Sequence, residues 1–215
     1  MIQGIARDPE ILQKAYEDIV AELRPFLHHE HELRDLFFKH CEIQTDCFNE
    51  PITDELLNYI KGSLCFFSHI PSDVFVKGEQ FLDVGFGEGR SLIAYQELYG
   101  MRGHGIDKYA YSDARGTKLE VYTKKRPIYT ALSSLGISCL SPFDVEKNRL
   151  PYSDNMFSLV IFQQAIEHLH NSPKLIMDEI ARTLRRGGVL ALDTPNIAVW
   201  QNRINMLKGD TIHWD

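Results

Sequence analysis

The decapeptide Phe81-Leu82-Asp83-Val84-Gly85-Phe86-Gly87-Glu88-Gly89-Arg90 constrains the fold of this chain more than any other stretch. An apolar run breaks into three glycines at alternate positions and then resumes with helical spacing. Glycine adopts backbone conformations closed to other residues and lets a ligand approach the main chain, so strand, glycine turn and helix N-terminus together describe a nucleotide-type site. The dinucleotide fingerprint GxGxxG would place its third glycine at position 90, where this chain has Arg90. Asp83, at the strand tip, would repel a pyrophosphate and attract a ligand carrying an ammonium and a sulfonium.

On these residues the stretch resembles motif I of the class I S-adenosylmethionine-dependent methyltransferases. The resemblance implies an α/β fold, a Rossmann-like doubly wound, mostly parallel sheet. It also implies S-adenosyl-L-methionine as cofactor and S-adenosyl-L-homocysteine as product. Asp83 and the loop Gly85, Gly87, Glu88 and Gly89 would then hold the methionine part.

The flanking segments follow the same order. Gln80 to Val84 reads as a buried strand, and the next helix turns Leu92, Ile93 and Leu98 inward before stopping at Gly100. A second strand, Gly103 to Ile106, ends in Asp107, 22 positions after Gly85 and near the distance at which an acidic residue meets a ribose. The resemblance makes Asp107 the ribose ligand, with Lys108 beside it; a surface-turn Asp is the alternative. Residues 109–126 read as a loop, with Tyr109 and Tyr111 as packing or ligand contacts, and a helix is expected from Pro127 to Gly136, before a third strand, Ile137 to Leu140.

Phe143-Asp144-Val145 matches the place where these methyltransferases hold adenine, which gives Asp144 the exocyclic amine and Val145 the ring. An Asp after a short strand is equally a turn or cap residue. Leu150 to Phe162 resembles the polar turn and fourth strand, with Ser158 where many members have Asp, and Ala165-Ile166-Glu167-His168-Leu169 resembles the family's EHL segment. Ligands collect at the carboxyl ends of such strands, which sets Gln163, Gln164, Glu167 and His168 beside the transferable methyl. His168 has the intrinsic pKa of a general base; the alternatives are that this pair braces the next segment and that alignment alone drives transfer. A helix capped at Asn171 or Ser172 is expected to run through Ile176, Ile180 and Leu184 to Arg185 and Arg186, before Gly187-Gly188 and a fifth strand, Val189 to Asp193.

Residues 1–76 read as an N-terminal helical segment serving as lid, dimerisation surface or packing, and 77–215 as the cofactor-binding domain. Asp8 caps a helix that begins with Pro9 and ends near Pro25; a second carries Leu33, Leu36 and Phe37; a third starts at Thr53. The cluster His28-His29-Glu30-His31 reads as a solvated helix face, and no metal is expected. Only 19 residues follow Asn196, too few for the family's closing crossover helix and antiparallel strand pair. A C-terminally truncated chain is the expectation, the alternative being a sheet edge covered by the N-terminal helices or another subunit, so self-association stays open.

With 44% hydrophobic residues the chain can bury one sizeable core, and a net charge of -7 argues against a broad nucleic-acid face. Cys41, Cys47, Cys65 and Cys139 form no CxxC pair, and no apolar run approaches the roughly 18 residues of a membrane span, so a cytoplasmic protein is expected. The whole reading is a methyltransferase acting on a small-molecule acceptor. The alternative is a non-catalytic cofactor-binding module, or the partner subunit of an active enzyme.

Overall fold

Five strands form one parallel sheet in the order β3-β2-β1-β4-β5. They are β1 (Gln80–Val84), β2 (Arg102–Ile106), β3 (Ser138–Leu140), β4 (Phe157–Gln163) and β5 (Leu184–Asp193). The computed structural model describes residues 8–27, 32–108, 131–196 and 200–209. Phe81 to Val84 and Phe157 to Phe162 are buried, as expected of strands in a parallel sheet covered on both faces, with Asp83 and Ser158 the polar residues among them. The strand order reverses between β1 and β4, and at such a switch point a crevice opens at the carboxyl ends of the strands.

Side chains alternate across the sheet and so divide the core in two. Leu82, Val84, Val160 and Phe162 pack with Ile176 and Ile180 of α5 (Lys174–Thr183) on one face. On the other, Phe81, Leu159 and Ile161 join Leu92, Ile93 and Tyr95 of α4 (Arg90–Tyr99) and the N-terminal helices in a single cluster. Asp83 shares the parity of Phe81, so it faces this second side.

The N-terminal helices are α1 (Pro9–Leu23), α2 (Leu33–Glu42) and α3 (Asp54–Phe67). Asp8 caps α1 by accepting from Glu10 N–H at 2.9 Å, and Thr53 Oγ1 caps α3 by accepting from Leu56 N–H at 3.2 Å. Leu33, Leu36, Phe37, Ile60, Leu64 and Phe67 are fully buried against the sheet cluster. Between α2 and α3 a π-helical turn, Ile43–Cys47, carries the chain over the carboxyl ends of the strands.

Ser158 is fully buried, and its hydroxyl donates to Gln80 C=O at 3.1 Å, joining β4 to the start of β1. The helix expected to continue through Arg185 and Arg186 ends earlier, at Thr183. Leu184 takes an extended conformation and pairs with Phe157, whereas the next paired positions are Leu159 and Val189. The extra residues between bulge out of the ladder with Gly187 at φ +76°, and Arg185 turns to bond Glu79 at 2.8 Å.

Residues 131–134 are helical and stop at Gly136, and Trp200–Lys208 forms the short helix α6. The expected start of the first of these helices, Tyr109, Tyr111 and the His28 to His31 cluster lie outside the described residues.

Candidate functional site

The turn after β1 is built on left-handed glycines. Gly85 has φ +80°, its N–H donates to Ile106 C=O at 2.7 Å, and a Cβ there would lie 2.8 Å from Ala165 Cβ. No other residue fits that conformation and that space. Gly87 N–H donates to Asp107 Oδ2 at 2.9 Å, so the carboxylate at the end of β2 pins the turn that follows β1. Gly89, at φ +72°, is the N-cap of α4 and supplies no capping side chain.

Above this turn lies a cavity of about 1020 Å³. Its floor is Asp83, Gly85, Gly87, Glu88, Arg90 and Ser91; Gln163, Gln164 and Asp193 form a side; Gln44, Glu50, Tyr59 and Ser63 from the N-terminal helical segment form the roof. Asp193 ties two strand ends together, accepting from Gln163 Nε2 at 3.3 Å and from Gln164 N–H at 2.9 Å. Gln44 donates to Glu50 and to Pro51 C=O, both at 3.1 Å, which fixes the roof over the glycine turn.

The sequence-derived site residues do not all meet at the cavity, and Gly89, the N-cap of α4, is not part of its wall. Asp83, Gly85, Gly87, Glu88 and Gln163 share the cavity wall, and Asp107 is buried beside it through its bond to Gly87. Lys108 and Asp144 lie outside the wall in an ion network. Lys108 Nζ is 2.8 Å from Glu146 and 3.5 Å from Asp144, and Lys147 reaches Asp144 at 3.1 Å. Burial opposes ionisation of Asp144, but the bonds from Lys147 and from Glu146 N–H prevail and hold its carboxyl below the ordinary range. Glu146 is pushed down to about 2, first by the Lys108 bond and further by His170 and Asn171.

Val145 is buried in the second core cluster. His168 is exposed in a 3₁₀ turn, Ile166–His168, and is not part of the cavity wall. Its neighbour Glu167 accepts from Thr194 Oγ1 at 3.3 Å, a brace between this turn and the segment after β5.

Gln44, Tyr59, Arg90 and Asp193 line the cavity without having been read from the sequence as site residues. Helical periodicity reports the core-facing stripe of a helix and is silent about the residues it presents to a cleft. For Asp193 the available signal was its place at the end of a strand beside the switch point.

Asp83 is 5% exposed, and burial, reinforced by the Asp107 charge, pushes its pKa up to about 8. The folded pKa lies above the ordinary 3.8, so the protonated form contributes stability that is complete below 3.8 and is lost as pH rises through about 8. A cation bound against Asp83 offsets that loss by favouring the ionised carboxylate. The ratio of sulfonium to thioether affinity, S-adenosylmethionine over S-adenosylhomocysteine, is therefore expected to increase between about pH 6 and about pH 9. Titration calorimetry checks it: both ligands carry the same amino-acid group, so a flat ratio would remove Asp83 from contact with the sulfonium.

A parallel sheet with a switch point at β1, a glycine turn after it and acidic residues ending β1 and β2 defines the nucleoside-binding class of α/β proteins. The chain belongs to the methyltransferase domain family, whose model matches residues 82–192. It is a class I S-adenosylmethionine-dependent methyltransferase domain, and the residues present fit that cofactor: a turn of positive-φ glycines on the cavity floor, open to close approach, and a buried carboxyl suited to a cation.

Similar solved structures include the complex between the Haloferax volcanii Trm112 methyltransferase activator and its methyltransferase, at 25% identity over 58% of this chain and 47% of that one, with a TM-score of 0.39. The PH0226 protein from Pyrococcus horikoshii matches at 18% identity over 84% and 70%, with a TM-score of 0.47. Phosphoethanolamine N-methyltransferase 2 of Haemonchus contortus, in complex with S-adenosyl-L-methionine, matches at 16% over 90% and 39%, also with 0.47. The chain spans less than half the length of the first and third of these. No curated protein matches it. Among the described residues no helix is long and apolar enough to cross a membrane.

Proposed function

We propose that the chain transfers the cofactor's methyl group to a small-molecule acceptor held beneath the N-terminal helices. The observation that carries this reading is the cavity of about 1020 Å³ between the glycine turn and the roof of Gln44, Glu50, Tyr59 and Ser63, a volume and placement suited to small ligands. Asp83 with Gly85, Gly87, Glu88 and Gly89 takes the methionine part, and Asp107 accepts from the ribose hydroxyls with Lys108 beside it. Asp144 and Val145 take the adenine.

The bound cofactor supplies an electrophilic methyl on sulfur, so that the acceptor's lone pair forms the new bond while the carbon–sulfur pair returns to sulfur. Gln163 and Asp193 present amide and carboxylate groups where the acceptor would be aligned. Alignment supplies most of the acceleration.

His168, exposed outside the cavity wall, acts at most as a distant acceptor of the departing proton. His168→Ala is accordingly expected to leave S-adenosylhomocysteine affinity unchanged and to lower turnover by less than about tenfold. A loss of about 10²-fold or more would make it the general base. The defining experiment incubates the protein with methyl-labelled cofactor and a panel of hydroxylated, amine and carbon-acid metabolites. Labelled product from any of them supports the reading; cofactor binding with no transfer to small molecules would favour the non-catalytic module.

A further inference from the structure

The proposed cofactor contacts use Asp83 and Glu88 of the cavity floor and leave three further carboxyls on the wall, those of Glu50, Glu55 and Asp193. Arg90 is the wall's only lysine or arginine among the described residues, and its bonds go elsewhere: Nε donates to Glu88 Oε2 at 2.9 Å, and Nη2 donates to Gln44 Oε1. The donors that do reach these carboxyls are neutral. Glu50 accepts from Gln44 Nε2 at 3.1 Å, and Asp193 accepts from Gln163 Nε2 at 3.3 Å and from Gln164 N–H at 2.9 Å. Amide donors orient a carboxylate and leave its charge in place.

A cleft lined by one sign of charge concentrates ligands of the other sign. A metal ion is not the match, because among the described residues no three Asp, Glu, His or Cys side chains are grouped to hold one. A carboxylate or phosphate acceptor would be repelled, and a neutral hydroxyl gains nothing from the charge. An organic ammonium fits, and the wall also offers it an aromatic surface. Tyr59 is 46% exposed, with its ring T-shaped against His40 at 5.9 Å between centroids. Such a ring attracts an ammonium about as strongly as an exposed carboxylate does.

We infer that the acceptor end of the cavity binds a small organic amine as its ammonium, against the carboxyls of Glu50, Glu55 and Asp193 and the Tyr59 ring; this names the acceptor class and rests on the proposed methyltransferase reading. The ammonium gives its proton to solvent before reaction, which frees the nitrogen lone pair. That pair forms the bond to the methyl carbon while the carbon–sulfur pair returns to sulfur. Positive charge thereby passes from sulfur to nitrogen and stays beside the acidic wall.

Three probes of similar shape and different charge test the site: phenethylamine, phenethyl alcohol and hydrocinnamate, each titrated into the full chain saturated with S-adenosylhomocysteine and followed by ligand-observed NMR. Phenethylamine is expected to bind about fivefold or more tighter than the alcohol, and hydrocinnamate more weakly than either. Combining Glu50→Gln, Glu55→Gln and Asp193→Asn should bring the amine down to the affinity of the alcohol, which itself stays unchanged. An alcohol or carboxylate that binds wild type as tightly as the amine, no amine binding at millimolar concentration, or an amine preference that survives in the combined variant would overturn the inference.

Should the combined variant not fold, wild type decides by salt: raising sodium chloride from about 0.05 to about 0.5 M should erode the amine's advantage, and an undiminished advantage refutes the carboxyls' part in it. If wild type does not bind S-adenosylhomocysteine, the cofactor reading fails, and the same titrations into the free protein still test the amine site. Amine binding without transfer of labelled methyl supports the site and counts against the methyltransferase reading instead.

Discussion

Asp107→Ala is expected to weaken S-adenosylhomocysteine binding by about 10²- to 10³-fold, the cost of losing charge-assisted bonds to two ribose hydroxyls. The substitution acts twice, because Asp107 Oδ2 also accepts from Gly87 N–H at 2.9 Å and so holds the glycine turn proposed to contact the cofactor. Asp107→Asn separates the two contributions. Its amide oxygen still accepts from Gly87, while the charge and one acceptor are lost, so its affinity should fall between wild type and alanine. Removing the carboxylate also removes the charge that helps raise the Asp83 pKa, so Asp83 should titrate below about 8 in either variant. Calorimetry with S-adenosylhomocysteine, on protein shown to be folded by its thermal transition, checks both. An Asp107→Ala protein that binds as wild type would remove Asp107 from the ribose site.

That Asp107 lies beside the glycine turn, where its side chain accepts from Gly87 N–H, was legible from the sequence because a glycine turn is narrowly specified. Gly85 requires both a positive φ and the absence of a Cβ near Ala165, and few sequences satisfy both demands by accident. Parallel pairing was legible in the mostly apolar runs of β1 and β4, each broken by one polar residue, Asp83 and Ser158, because strands covered on both faces lose the alternation of half-exposed ones.

The end of α5 was not legible. Arg185 and Arg186 have good helical propensity, but Leu184 gains a ladder partner in Phe157, a tertiary bond that local propensity does not report. The cavity roof was invisible for a related reason. Gln44 lies in a π-helical turn and Tyr59 on the cleft side of α3, positions that no period of apolar residues marks. Arg90 was read only as a residue that is not glycine; its burial depends on Gln44, 46 positions away in the chain.

The largest effect on stability is expected from Arg182→Ala. Arg182 donates to Glu179 at 2.7 Å, to Leu150 C=O at 2.9 Å, to Tyr152 C=O at 2.8 Å and to Asp154 at 2.7 Å, so it secures the turn that leads into β4. Glu179 is 4% exposed and also accepts from Arg149 Nε and Leu150 N–H. Truncating Arg182 leaves that carboxylate buried without its main counter-charge, which costs about 3 kcal/mol or more. The pH dependence identifies the cause. The Arg182 bond, opposed by burial and aided by Arg149 and Leu150, holds the Glu179 pKa at about 2, against an ordinary 4.5. The contribution is therefore complete above 4.5 and is lost as pH falls through about 2. Glu146 titrates in the same window in both proteins, so its contribution cancels in the difference between wild type and variant. Urea denaturation at about pH 7 and about pH 3 should show a large gap between the two at the higher pH that narrows at the lower. A gap of equal size at both would mean that Arg182 acts by packing and by its carbonyl bonds, with the carboxylate contributing little.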